Sequence, residues 1–302
     1  MQDYFTKDVY DIFYRAKLLI IHEKFPHCFA LLEIFKFMAV VGSGQIVTFA
    51  QAKNDRNMFN FFNKPKSPAE LPFATDIHCH VIPGVDDGSP DIATSVELIE
   101  RMQSWGIKRI FASPHVTKDR FENTAAGLDE AMNALQSELD RRGNGIKLVH
   151  HAEYRLDEYS LSFFESGEVM TLPGNYIMIE NPFVSEAWFI DNTIFDLQVK
   201  GFVPVLAHPE RYSYYYKNRA RYSQLHAAGA KFQINLLSLA EAYGKEQREV
   251  AEQLIADGLV DFIGTDLHNS VHADRIERYL LTRQARTHFA SIAGKLLNDK
   301  IQ

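Results

Sequence analysis

The sequence predicts an α/β fold whose parallel sheet closes into a barrel related to the (β/α) barrels. Two observations carry this reading. From Phe73 onward, short apolar runs of strand length alternate with longer stretches of helical spacing, the signature of βα units. Histidine, aspartate and glutamate then recur just past the ends of those short runs, where a barrel gathers its site.

Residues 73–80 read as the first strand. Residues 92–105 place Ile92, Val96, Ile99 and Met102 at helical spacing and stop at Gly106, a residue that ends helices. A short β run covers 108–112. A helix over 128–142 stops at Gly143, and 146–149 is the next strand. Further strands fall at 176–179, 203–207, 232–236 and 262–264, with helical stretches at 187–200, 220–228 and 247–257. This many strand–helix units suit one barrel domain, for which about 250 residues is usual.

Residues 1–57 stand apart as an N-terminal extension. They hold seven Lys/Arg and six Asp/Glu, net +1 in a chain whose total is −7. They are rich in aromatics and contain none of the motifs found later. Residues 58–72 read as a linker, because Pro65, Pro68 and Pro72 break regular structure. Met58 opens a stretch that reads well as a start of its own. The extension is therefore expected to be a small added element, helical in part, or sequence upstream of a misassigned start. Residues 73–302 form the expected main domain.

Composition excludes several classes. With 46% hydrophobic and 24% charged residues among 302, the chain has enough apolar surface to offset the entropy of ordering. The acidic balance argues against a nucleic-acid partner. Two cysteines, Cys28 and Cys79, make no disulfide framework, so a reducing cytoplasmic compartment is expected. The apolar run at 29–41 is interrupted by Glu33 and Lys36. It is shorter than the ~20 residues of a spanning helix, so no stable membrane insertion is expected.

The chemistry is carried by position. His78 and His80, two apart at the end of the first strand, face one way and can chelate together. Asp86 and Asp87 sit in a loop before a helix. His115, Glu153, Glu180, His208, Asp266 and His268 each follow a predicted strand. A rim this rich in donors exceeds the need of one ion and could hold two or three. The remaining histidines, His22, His27, His150, His151, His226, His272 and His288, follow no such rule and read as structural or surface residues.

The runs Asp76-Ile-His-Cys-His80, Pro83-Gly-Val-Asp-Asp-Gly88, Ser113-Pro-His115, Ala152-Glu153, Ile179-Glu180, Ala207-His-Pro-Glu-Arg211 and Gly264-Thr-Asp-Leu-His268 resemble the PHP (polymerase and histidinol phosphatase) superfamily. More closely, they resemble its bacterial protein tyrosine phosphatases of capsule and exopolysaccharide synthesis, the CpsB/CapC-like group. The run HVIPGVDDGS is the specific part of the match. The first ~70 residues have no counterpart in the family core.

The resemblance implies a distorted (β/α)7 TIM-like barrel holding three divalent ions. Manganese is the most expected metal, with iron or zinc compatible with the mixed nitrogen and oxygen donors. It assigns one ion to His78, His80, Glu153 and Asp266, a second to Glu153, Glu180 and His208, and a third to Asp87, His115 and His268. Glu153 then bridges two ions. Asp86 is expected to support the loop or a ligand, and Asp76 either to orient a histidine or to satisfy strand-end amides.

The implied reaction is hydrolysis of phosphotyrosine by a metal-activated hydroxide, with Glu153 and Asp266 at the reacting centre. Arg211 is expected to clamp the phosphate through parallel guanidinium donors, against the alternative of pairing with Glu210 or another rim carboxylate. Tyr212, Tyr214, Tyr215 and Tyr216 either line the mouth or cover an edge of the barrel. The expected partner is a phosphotyrosine protein, a bacterial tyrosine autokinase of polysaccharide synthesis and export, and a homo-oligomer is within the family's range. The runner-up substrate is a small phosphomonoester such as histidinol phosphate. A non-catalytic scaffold would lack ligands, and none of the implied set is missing. Cysteine-dependent chemistry is excluded, because Val85 and Ile34, six positions after Cys79 and Cys28, are not arginine.

Overall fold

The structure is a computed structural model, described here for residues 67–301. The expected extension at 1–57, and the linker up to residue 66, lie outside the described residues. Among the described residues nine strands are assigned: β1 (Thr75–Asp76), β2 (Arg109–Ala112), β3 (His115–Val116), β4 (Leu148–His150), β5 (Glu153–Arg155), β6 (Tyr176–Glu180), β7 (Val203–Ala207), β8 (Lys231–Asn235) and β9 (Phe262–Gly264). The helices are α1 (Ile92–Ser104), α2 (Ala125–Arg141), α3 (Glu158–Ser166), α4 (Ile190–Val199), α5 (Ala220–Ala227), α6 (Leu236–Leu239), α7 (Lys245–Ala256), α8 (Ser270–Leu280) and α9 (Arg283–Ile292).

All pairings between these strands are parallel. They form a three-stranded sheet ordered β1-β2-β4 and a six-stranded sheet ordered β3-β5-β6-β7-β8-β9. The predicted strands at 108–112 and 146–149 thus each continue further than expected. β2 and β3 are separated only by Ser113-Pro114, and β4 and β5 only by His151-Ala152. Pro114 has no N–H to give a ladder. Its carbonyl still accepts from Glu153 N at 3.0 Å, and Ser113 N donates to Cys79 O at 2.9 Å. Beyond β1 and β9 the chain also pairs: Asp266 N donates to His78 O at 2.7 Å and His80 N to Leu267 O at 3.0 Å.

Local signals explain the helix limits. Asp91 caps α1 by accepting from Thr94 N at 2.8 Å. The chain leaves that helix through Gly106 at φ 100, a left-handed turn that a side chain would oppose. The buried stripe of α1 is Val96, Leu98, Ile99 and Met102, close to the predicted face. Helices α3, α8 and α9 were not foreseen, although Asp157, Asn269 and Thr282 cap them. Their apolar positions do recur at helical spacing, as Ala273, Ile276 and Leu280 in α8 and Ala285, Phe289 and Ile292 in α9 show.

Two apolar layers result. The larger packs the helices against the outer face of the strands. A smaller cluster joins Ile77, Phe111, Leu172, Met178, Val205, Ala207, Phe262 and Ile301. Met178 lies two residues before Glu180, so strand alternation carries apolar packing and site donors on one face. At the N-terminal ends of the strands, Asn298 ties β1 to β9. Its Nδ2 donates to Thr75 O at 2.9 Å and Ile263 O at 2.7 Å, and its Oδ1 accepts from Ile263 N at 3.1 Å. No helix among the described residues is long and apolar enough to cross a membrane.

Candidate metal centre

Strand ends and the loops beside them bring all nine expected donor residues together. Among the described residues, the groups of His, Asp and Glu with donor atoms within 4.8 Å of one another contain only His78, His80, Asp87, His115, Glu153, Glu180, His208, Asp266 and His268. At the centre, His78 Nε2 lies 3.3 Å from Glu153 Oε2 and 3.5 Å from Asp266 Oδ1. His80 Nε2 lies 3.5 and 3.4 Å from the same two oxygens. Four donors set tetrahedrally about 2.1 Å from one ion would be about 3.4 Å apart. The spacing therefore fits a cation.

Hydrogen bonding supports the same fit. His78 Nε2, His80 Nε2, His115 Nδ1 and Glu153 Oε2 are buried without a hydrogen-bond partner. A buried orphan of this kind costs about 1–3 kcal/mol, so a cluster of them calls for a ligand. The outer nitrogens of both central rings are occupied. Gln233 Nε2 donates to Ile234 O at 2.8 Å, which fixes the amide with its oxygen toward His78 Nδ1 at 2.6 Å. His78 must then donate from Nδ1 and turn the lone pair of Nε2 inward. Asp86 Oδ2 accepts from His80 Nδ1 at 2.8 Å and does the same for that ring.

The second and third groups surround this centre. His208 Nε2 is 3.0 Å from Glu153 Oε1 and 3.6 Å from Glu180 Oε1. Asp87 Oδ1 is 3.5 Å from His115 Nε2 and 3.6 Å from His268 Nε2. His115 also offers Nδ1 at 3.1 Å from Glu153 Oε2, so it faces both groups rather than the third alone. Glu180 is the last residue of β6, while His115 and Glu153 open β3 and β5.

Close backbone approach explains two glycines. A Cβ on Gly264 would lie 2.4 Å from His78 Cβ, and one on Gly88 would lie 2.2 Å from His80 O. His208 at φ 33 and Asp266 at φ 51 take left-handed backbone without being glycine, a strain that surrounding structure must hold in place.

Charge is concentrated here. Burial by itself lowers an imidazole, yet Glu153 and Asp266 carry His78 up to about 9. Burial raises Glu180 to about 7, with Glu153 adding to the shift. Burial, helped by Arg211, takes His208 down to about 4. Burial works against ionisation of Glu153, but His78 and His115 hold it well below the usual carboxylate range. The carboxylates thus create a field that a divalent cation satisfies in competition with protons.

Arg211 points at this centre. Its Nη1 donates to Asp266 Oδ2 at 2.9 Å, so the partner among rim carboxylates is Asp266 rather than Glu210. Its Cζ lies 4.8 Å from the Phe183 ring and 4.1 Å from that of Tyr243. Glu210 is instead buried, accepting from Asn235 N and Ser238 Oγ. Asp86 proves to support both the loop, through Gly88 N, and His80. Asp76 takes the plainer of its two roles. It accepts from His78 N, Thr265 N and Thr265 Oγ1 and does not touch a histidine ring.

The tyrosine cluster braces the loop that follows β6, an interior strand, rather than lining the mouth or covering a sheet edge. Tyr212 and Tyr215 are buried, and the Tyr212, Tyr214 and Tyr216 hydroxyls donate to Ala207, Pro182 and Glu210 carbonyls. Sequence reasoning missed Gln233, Asn235, Tyr243 and Phe183. A signal existed for the first two: β8 reads Lys-Phe-Gln-Ile-Asn, two amides inside a buried strand. Asn235 Nδ2 donates to Asp266 Oδ2 at 2.5 Å. Phe183 and Tyr243 carried no signal, because aromatic residues in loops are common.

Fold and site together define a parallel α/β protein with a candidate metal centre across its strand ends. The chain belongs to the CpsB/CapC family of capsular polysaccharide synthesis, whose sequence model matches residues 74–283. It is 32% identical over 195 residues to the tyrosine-protein phosphatase YwqE of Bacillus subtilis, covering 64% of this chain and 77% of that protein. It is 27% identical over 202 residues to the tyrosine-protein phosphatase CpsB of Streptococcus pneumoniae, covering 64% and 82%. A solved chain from the crystal structures of YwqE from Bacillus subtilis and CpsB from Streptococcus pneumoniae, described as metal-dependent tyrosine phosphatases, is similar with a TM-score of 0.65. That match has 29% identity and covers 75% of this chain and 94% of the other.

Proposed function

We propose that this protein is a metal-dependent protein-tyrosine-phosphatase. Its substrate would be a phosphotyrosine protein in the cytoplasm, a bacterial tyrosine autokinase that controls polysaccharide synthesis and export. The observation that carries the reading is the set of four buried, unpartnered donor atoms at the centre of the nine-residue rim. The relatives' activity and their metal dependence support it. In the same reading the two sheets act as one distorted (β/α)7 ring, for which the pairing of His78 and His80 with Asp266 and Leu267 speaks. The extension at 1–57 would be dispensable, so a chain starting at Met58 is expected to retain activity.

The proposed ligand assignment is the one the family resemblance implies, and the proximity of these donors supports it. His78, His80, Glu153 and Asp266 would hold one ion, Glu153, Glu180 and His208 a second, and Asp87, His115 and His268 a third, with manganese the leading metal. When bound, divalent ions neutralise the phosphoryl dianion and acidify water for in-line attack. The chain's own residues do the rest. Gln233 and Asp86 hold the proton on Nδ1 of His78 and His80, which keeps both Nε2 atoms available. Arg211 would present its donors to the non-bridging phosphoryl oxygens, with the Asp266 contact and the Tyr243 ring orienting it. A tyrosine leaving group has a pKa near 10 and departs with less proton assistance than an alkoxide.

The test is phosphate release from a phosphotyrosine peptide, with manganese added and after chelation, beside a phosphoserine peptide and histidinol phosphate. Manganese-dependent release selective for phosphotyrosine and lost in His208→Ala is expected. Release from histidinol phosphate alone would replace the reading with the small-phosphomonoester one.

A further inference from the structure

The loop that follows Glu180, residues 181–189, contains three large apolar side chains in the open. Phe183 is 40% exposed, Val184 91% and Trp188 87%. Such side chains normally fold back on a core, and an exposed apolar patch of this kind marks a binding surface. Here the loop is tethered so that they cannot fold back. Asn181 N donates to Tyr212 OH at 2.9 Å and Asn181 Nδ2 to Tyr215 OH at 3.0 Å. Tyr214 OH donates to Pro182 O at 3.1 Å, Ala187 N to Asn181 Oδ1 at 3.2 Å, and Arg221 Nε to Glu186 Oε1 at 3.0 Å. The tyrosine cluster thus acts as a scaffold for this lip.

The lip is continuous with the centre. The Phe183 ring stacks nearly parallel to the His208 imidazole, with centroids 5.7 Å apart and planes at 14°. The Arg211 guanidinium carbon lies 4.8 Å from the same ring. In a phosphate ester held at Arg211 the organic group is joined to phosphorus through a single bridging oxygen, which keeps it within reach of the Phe183 ring. An aromatic ring there gains stacking and apolar burial that an alkyl ester cannot match.

We propose that residues 183–188 form an aryl-recognising lip. Phe183 packs against the ring of an aryl phosphate ester, and Val184 and Trp188 pack against apolar side chains of the peptide that carries it. The proposal rests on the phosphatase reading and specifies how that site selects its substrate.

Equilibrium binding to the manganese-loaded full-length protein separates the two. The probes are a peptide containing phosphonomethyl-phenylalanine, a non-hydrolysable aryl analogue, and inorganic phosphate, which has no ring. Phe183→Ala is expected to weaken the peptide about tenfold and to leave phosphate within about twofold. Phe183→Leu, which keeps the bulk without the ring, should weaken the peptide by a smaller factor and safeguards against misfolding. Of the two tryptophans, Trp105 is buried, so a blue shift of the exposed Trp188 emission should accompany peptide but not phosphate. Equal weakening of both probes would mean that Phe183 only supports Arg211, and no weakening of either would remove the lip altogether. Failure of wild-type protein to release phosphate from phosphotyrosine would strike the functional reading instead, while the binding ratio would still decide the lip.

Discussion

The two ends of the same strands solve opposite problems. At their N-terminal ends, Asn298 spends its side chain on three backbone groups of β1 and β9, and Leu172, Phe262 and Ile301 pack around apolar neighbours. At the site end, His78, His80, His115 and Glu153 keep buried atoms without partners. One end is complete as it stands, and the other is complete only with a ligand. A buried polar group is therefore informative through its satisfaction, not its burial. The closed end should govern stability and the open end activity.

That division can be broken by substitution. The largest effect is expected from Glu153→Gln at the open end. Loss of a metal contribution worth several kcal/mol corresponds to about a 10³-fold fall in phosphate release. Elemental analysis should show fewer ions per chain, and thermal melting of the metal-free protein should fall by less than for a large-to-small change at the closed end, because Gln keeps the packing and loses only the ion pairing with His78 and His115. A large drop in metal-free stability would erase the distinction between the ends.

Phe262→Ala at the closed end should do the reverse. It is expected to cost about 3–5 kcal/mol in denaturant unfolding, as for a fully buried aromatic, with bound metal per folded chain unchanged. Gln233→Ala sharpens the boundary, since it removes the acceptor from His78 Nδ1 without touching a candidate ligand's coordinating atom. Metal titration should show about a 10–100-fold weaker affinity, and Gln233→Glu, which restores an acceptor, should recover part of it.

The smallest effect lies outside both ends, at His288. Its Nδ1 meets Tyr279 OH at 2.7 Å and its Nε2 meets Glu252 Oε1 at 3.0 Å. Burial holds this imidazole below its ordinary value despite Glu252. The unfolded chain therefore takes up the proton first as pH falls below about 6.5. Stability from neutral His288 is complete above that pH and declines as pH drops toward the folded value. His288→Gln should flatten the melting temperature between pH 7 and 5 relative to wild type; an unchanged slope would assign the dependence to other groups.

Much of the candidate site was legible because the candidate ligands sit in short motifs next to strand ends. The parallel strands at 203–207 and 262–264 appear where apolar runs predicted them, and they deliver His208 and Asp266 to the rim. The interrupted strands were less legible. Ser113-Pro114 and His151-Ala152 look like strand ends in a sequence, but neighbouring chains carry the pairing across them. Tyr212 and Tyr215 illustrate the remaining gap: aromatic clusters read alike whether they bind substrate or support a loop.

The sequence by itself determined the class of fold, the candidate donors and the family. These depend on periodicity and on residue types at short spacing, which a chain carries locally. Only the tertiary structure decided that Gln233 and Asp86 set the tautomers of His78 and His80, that Arg211 meets Asp266, that Asn298 ties β1 to β9, and that Phe183 stands over His208. Each of these joins residues far apart in the chain or turns on one side-chain direction. Such contacts exist only after the strands have packed, and their energy depends on which atoms are left unpaired when they do.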